Sequence, residues 1–259
     1  MGFNINILNR YFLFIEYLGT NFNGWQSQPD LNTIQDEIER VLRIISGKKD
    51  LKIFGSGRTD SGVHASNQVA HLDVESDLNT HKFKYQANSL MKTGICIWDI
   101  KQVNPEIHAR FAASSRAYEY KIITRPSPLR EQSAWFYNAE IDLDKLQECA
   151  NLLSTVTDYS TFSKENPGNI GSEFCTIEHA EWKKVKEDEY VFYIKSNRFL
   201  RHMVRYLVGS MLKVGKGDLS IQEFEKALRG ESDNHVHLKA PANGLCLIEV
   251  NYPSQVFIL

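Results

Sequence analysis

No stretch of this chain is apolar for long enough to cross a bilayer as a helix, which takes about 20 residues. Met1 to Arg10 lacks the basic start, apolar core and small-residue cleavage site of a secretory leader, so a cytoplasmic protein with no membrane partner is expected. Cysteine is scarce. Cys96, Cys149, Cys175 and Cys246 are the only ones, far apart and with no C-x-x-C pair. That argues against a disulfide framework or a thiolate zinc site and for reduced, buried thiols. His64, His71, His81, His108, His179 and His202 form no ligand-spaced group with carboxylates or cysteines, so no metal is expected. Charge of either sign is not in excess: 30 basic residues against 32 acidic leave a net charge of −2. A polybasic grip on nucleic acid is excluded, but a local basic face is not. Low-complexity sequence is absent, and Pro126–Pro128 and Pro167–Gly171 read as exposed loops.

What is present is a chain of 259 residues, 42% hydrophobic and 24% charged, enough for one large domain or two modest ones. Tyr11 to Tyr17 reads as a strand, and Asn21 to Gln26 as a turn-rich loop with exposed aromatics. A helix begins at Asn32 with Gln35 completing a capping box, carries the stripe Ile34, Ile38, Val41, Leu42 and Ile45, and stops at Gly47. Strands follow at Leu51 to Phe54 and Gln68 to Val74, then a helix at Lys82 to Met91 and a strand at Ile95 to Val103. The order is β-α-β-β-α-β. The second half repeats it: a strand at Arg116 to Thr124, a helix at Asp142 to Leu153, a hairpin of Thr176 to Val185 with Tyr190 to Ser196, and a helix at Phe199 to Val214. An extra helix at Ser220 to Arg229, capped by Ser220 and Glu223, precedes a last strand at Leu245 to Val250. Two ferredoxin-like halves of an α+β protein are therefore expected, divided as 1–107 and 108–259, with joined antiparallel or mixed sheets and a central cleft.

Gly55 to His64 breaks the alternation of strands and helices. It sets Arg58, Asp60 and three glycines between two apolar runs, where tight turns or a close ligand are expected. By itself it reads as a hairpin loop with a capping aspartate and a solvated arginine. In the helix from Phe199, the residues Arg198, Arg201, His202 and Arg205 fall at i, i+3, i+4 and i+7, an all-basic strip whose place near a helix N-terminus opposes the macrodipole. A phosphate-rich partner would explain it. Arg116, Tyr118 and Tyr120 share one strand face, which suits either core tyrosines with bonded hydroxyls or a base-stacking surface.

Taken in order, these segments resemble the TruA family of tRNA pseudouridine synthases. Gly57-Arg58-Thr59-Asp60-Ser61-Gly62-Val63-His64-Ala65 is similar to its signature. Phe22 to Gln26, Gln68 to His71, His108 to Phe111, Arg116 with Tyr118 and Tyr120, Asp158 to Phe162, Phe199 to Gly209 and Pro241 to Leu245 resemble its other motifs. Ser61 stands where the family most often has alanine, and Cys175 where it commonly has arginine before Thr-Ile.

The resemblance implies the pseudouridine synthase fold and isomerisation of uridine at positions 38 to 40 of the tRNA anticodon stem-loop. The N-terminal half would carry the catalytic aspartate loop, and the C-terminal half the basic helix and stacking tyrosine. The reaction breaks the C1′–N1 bond, turns the uracil and forms C1′–C5, so it needs no cofactor. The resemblance makes Asp60 the nucleophile, parallel to the carboxylate of retaining glycosidases. Attack at C1′, assistance of a glycal and addition to the base all stay open. It makes Arg58 the residue that replaces the flipped base, Tyr118 the stacking partner of the uracil, and Arg205 the partner of the aspartate. Arg110, Arg198, Arg201 and His202 would contact phosphate, and Leu245 joins the substrate-binding set. A homodimer sharing one tRNA is also implied. The rivals are a paralogue acting on another RNA, an inactive RNA-binding protein on the same scaffold and, more remotely, an aspartate-dependent hydrolase.

Overall fold

The computed structural model describes residues 8–164, 174–231 and 238–258; the loop expected at Pro167–Gly171 lies outside them. In chain order the elements are β1 (Asn9–Tyr17), α1 (Ile34–Ser46), β2 (Ile53–Gly55), β3 (His64–Val74), α2 (Thr80–Leu90), β4 (Ile95–Val103), β5 (Ser115–Ile123), β6 (Trp135–Phe136), α3 (Leu143–Leu152), β7 (Ile177–Lys186), β8 (Glu189–Ser196), α4 (Met203–Lys216), α5 (Ile221–Leu228) and β9 (Leu245–Asn251). The chain divides into two compact units, Met1–Ser114 with Leu247–Leu259, and Ser115–Cys246. Among the described residues no helix is long and apolar enough to cross a membrane.

In the first unit β1 lies between β3 and β4 and is antiparallel to both, and β2 pairs antiparallel with β3. Phe12, Leu13 and Ile15 of β1 have no accessible surface, each contributing about 1.5–3 kcal/mol by leaving water. The N-cap of α1 is Thr33, not Asn32: its hydroxyl accepts from the Asp36 N–H. Asn32 instead donates to the Asn21 carbonyl, and Gln35 is drawn off by Gln26 and Glu39, so the expected box does not form. Ile34, Ile38, Val41 and Leu42 are buried as the periodicity predicts, and the helix ends at Gly47. Phe22 and Trp25, expected to be exposed, are buried. The turn that carries them folds inward, where the Trp25 ring lies 6.1 Å from that of Tyr17.

In the second unit β8 pairs antiparallel with β5 and with β7, while β6 runs parallel beside β5, which makes the sheet mixed. The capping box of α5 is present as expected, with Ser220 and Glu223 bonding reciprocally. Helix α4 starts at Met203, later than the apolar spacing indicated. His202 adopts a left-handed conformation, φ 65°, which breaks the helix before it. Arg198, Arg201 and His202 therefore lie on the approach to α4 rather than along it, and the basic helical strip is not formed.

Candidate active site

The loop between β2 and β3 is held from three sides. The Thr59 hydroxyl meets the Tyr17 hydroxyl at 2.8 Å in a buried contact, and the Thr59 carbonyl accepts from the Trp25 N–H. Beyond Asp60 the Gly62 N–H donates to the Phe22 carbonyl, and so does the Ser61 hydroxyl. At the near end the buried Gln68 side chain accepts from the Ser56 hydroxyl at 2.6 Å and donates to the Gly57 carbonyl. Asp60 itself heads a tight turn. Its carbonyl accepts from the Val63 N–H at 3.1 Å, with Gly62 at φ 80° supplying the left-handed residue that such a turn demands.

The outcome is a half-buried Asp60 between anchored neighbours. Arg58 is exposed, and no hydrogen bond or ion pair to the described residues restrains its guanidinium. That combination suits a carboxylate whose position must be fixed and a cation that must move into place. Gly24 is part of the same construction. It sits at φ 86°, and a Cβ there would stand 2.7 Å from the Thr59 carbonyl oxygen. A Cβ on Gly57 would meet nothing within 4 Å, so its surface is open to a ligand.

The remaining candidates, except Arg110, belong to the second unit. Tyr118 is half-buried, with the Phe199 ring against it edge-on at 5.0 Å. Tyr120, on the same strand face, is a core residue: it is fully buried, donates to the Pro241 carbonyl, and has its phenol pKa raised by burial. The core reading of that face fits Tyr120, while Tyr118 keeps part of its ring accessible. Arg205, in the first turn of α4, gives its Nε–H to the Ala240 carbonyl at 2.7 Å, while the Ala240 N–H returns a bond to the Arg205 carbonyl. Its stem is thereby fixed. Arg201 is exposed, whereas Arg198 and His202 are half-buried. Leu245 is buried at the start of β9. In the first unit, Arg110 is exposed on the turn after His108.

Comparison with known proteins bears on this arrangement. A family model described as tRNA pseudouridine synthase matches residues 13–112 and 153–253. The chain belongs to the tRNA pseudouridine synthase family. Curated relatives named tRNA pseudouridine synthase A include those of Bacteroides thetaiotaomicron, 36% identical over 96% of this chain and 93% of the relative, and Bacteroides fragilis, 38% identical over 96% and 99%. The relative from Chlorobaculum tepidum is 40% identical over 92% of this chain and 96% of its own length.

Within the synthase family pattern, the two departures have physical accounts. Ser61 keeps a small side chain and adds the bond to the Phe22 carbonyl. Cys175 is buried, and burial pushes its thiol up to about 11 against the opposing charge of Arg198. A basic group thus stays near that position even though arginine does not occupy it. The supports Tyr17, Gly24 and Gln68 carried no assigned role in the sequence. For Gln68 a signal existed, a lone carboxamide inside an apolar strand run; for Tyr17 none did, because its contact spans 42 residues.

Proposed function

We propose that this protein isomerises uridine to pseudouridine at positions 38 to 40 of the tRNA anticodon stem-loop, with Asp60 as nucleophile. The observation that carries this is Asp60 on a turn anchored through Thr59 and Gly62, two residues after an unrestrained Arg58, in a chain of this family. The target base is stacked in a helix, and extruding it costs roughly a few kcal/mol. Arg58 takes the vacated place in the stack. Tyr118 stacks on the uracil, and Arg205 orients the carboxylate. The C1′–N1 bond breaks, C1′–C5 forms, the C5 proton leaves and N1 gains one, so composition is unchanged and no cofactor takes part. Unmodified tRNA transcript incubated with the protein alone gains pseudouridine; a transcript left without it contradicts the proposal.

The chain is read as two ferredoxin-like halves, 1–107 around the aspartate loop and 108–259 around Tyr118. This is supported by the strand order β4-β1-β3 with β2 on the far side of β3, and by the β-α-β-β-α-β succession, which is plain in the first part and carries β6 and α5 as additions in the second. A cytoplasmic homodimer is part of the reading. A net charge of −2 leaves RNA binding to local basic groups, which fits a surface shared between two copies.

Arg198 and Arg201 supply phosphate contacts in this proposal. Replacing both by alanine weakens tRNA binding and lowers the slope of log K against log salt by roughly two, about one per lost contact. Binding titrations across a salt series check this, and an unchanged slope removes both residues from the interface.

A further inference from the structure

A row of rings outside the aspartate loop has no part in the chemistry described so far. Phe54 and His71 face each other across β2 and β3, their rings stacked at 5.1 Å and 21°. His71 meets His108 at 4.5 Å, and His108 meets Phe111 at 4.6 Å. The two ends of the row are open: Phe54 is 49% exposed and Phe111 76%. The turn that displays Phe111 is rigidly held. The Phe111 and Ala112 N–H groups both donate to the His108 carbonyl, the Ala109 N–H donates to His71 Nδ1, and the Tyr252 hydroxyl donates to the Ala109 carbonyl. A large apolar ring fixed in water by a structured turn forgoes its transfer energy, which a binding partner would recover.

The surroundings are cationic. The Arg110 guanidinium lies over the Phe111 ring at 5.7 Å. Arg10 reaches the Ile107 carbonyl at the base of the turn, and the nearby carboxylate of Asp73 is already paired with Arg10 at 2.6 Å. Burial first, then Arg10, lowers the pKa of both His71 and His108, and Asp73 is the weakest influence on each. A planar aromatic surface with the Arg110 guanidinium over it suits an anionic chain of flat bases better than an apolar protein face. Phe54 also lies on the strand that leads directly into Gly57 and Arg58, so the row and the aspartate loop share one support.

We propose that Phe111 and Phe54, braced by His108 and His71, form a stacking platform for an unpaired nucleotide of the RNA substrate other than the target uridine. This rests on the tRNA reading above. The platform holds the loop beside the anticodon stem while Asp60 acts elsewhere on the same molecule.

The test uses the full chain with unmodified tRNA and compares Phe111→Leu, which keeps apolar bulk, with Phe111→Trp, which keeps a stacking face. Phe111→Leu weakens tRNA binding roughly ten-fold, leaves the salt slope unchanged, and leaves affinity for a fully paired stem duplex as in wild type. Phe111→Trp restores tRNA binding to within about two-fold. Equal tRNA affinity for wild type and Phe111→Leu overturns the platform. Loss of self-association in Phe111→Leu with tRNA affinity intact also overturns it and assigns the row to a protein interface. Wild-type protein that binds tRNA but makes no pseudouridine sinks the enzymatic reading alone, because the platform is judged by affinity.

Discussion

Asp60→Asn abolishes pseudouridine formation, by roughly a thousand-fold or more, while tRNA affinity stays within a few-fold of wild type. The size follows from its role: removing a nucleophile removes a reaction path, not one contact among many. The selectivity follows from the geometry. Bonds that hold this turn include those of the Asp60 carbonyl, the Thr59 hydroxyl and carbonyl, the Gly62 N–H and the Ser61 hydroxyl. These anchors do not use the Asp60 carboxylate, so asparagine, which keeps the shape of the side chain, leaves them in place. Single-turnover kinetics together with a binding titration separate the two effects. An Asp60→Asn protein that makes pseudouridine at the normal rate would falsify the nucleophile assignment.

Gly24→Ala slows turnover by displacing the loop that carries Asp60, whereas Gly57→Ala leaves stability within about 0.5 kcal/mol. At Gly24 two costs add. The φ of 86° is disfavoured for any L-residue by roughly 1–2 kcal/mol, and the new methyl would stand 2.7 Å from the Thr59 carbonyl oxygen and 3.1 Å from the Asp60 carbonyl carbon. The loop must shift, and the carboxylate with it. A displacement near 1 Å at a reacting group costs on the order of a hundred-fold in rate, so turnover falls by about that much and the protein loses roughly 2–4 kcal/mol of stability. At Gly57 nothing within 4 Å opposes a methyl. Any effect there must come through RNA, so Gly57→Ala slows turnover at unchanged melting temperature. Thermal denaturation run beside single-turnover rates distinguishes the two. A stable, fully active Gly24→Ala protein would refute the idea that this glycine sets the position of Asp60.

Much of the fold was legible in the sequence where local chemistry decides structure. Periodicity and terminal residues placed β4, the end of α1 at Gly47 and the capping box of α5 at the observed positions. The failures came where distant contacts override local pattern. The apolar spacing from Leu200 to Met211 continues through His202 without a break, yet His202 turns left-handed and α4 begins after it. Histidine signals that conformation far more weakly than glycine does. Phe22 and Trp25 sit among turn residues, which read as exposed, but the turn is itself packed down by bonds to the Thr59 and Asn32 segments. Loop composition, strand alternation and helical spacing drew attention to Arg58, Asp60, Tyr118 and Arg205, but the roles proposed for them came only from the family resemblance. Tyr120 shares the alternation of Tyr118, and only burial separates the structural tyrosine from the half-exposed one. The supports of the aspartate loop were the least visible part, since the Tyr17–Thr59 contact joins residues far apart in the chain.

The central claim is that the anchored turn at Asp60 carries out uridine isomerisation in the anticodon stem-loop. The most direct measurement incubates the protein with unmodified tRNA transcripts, without added cofactor, and maps pseudouridine at single-nucleotide resolution. The account predicts product at positions 38 to 40 and nowhere else in the tRNA. Product confined to another region or another RNA would assign the same chemistry to a different target, and no product in any RNA would contradict the account outright.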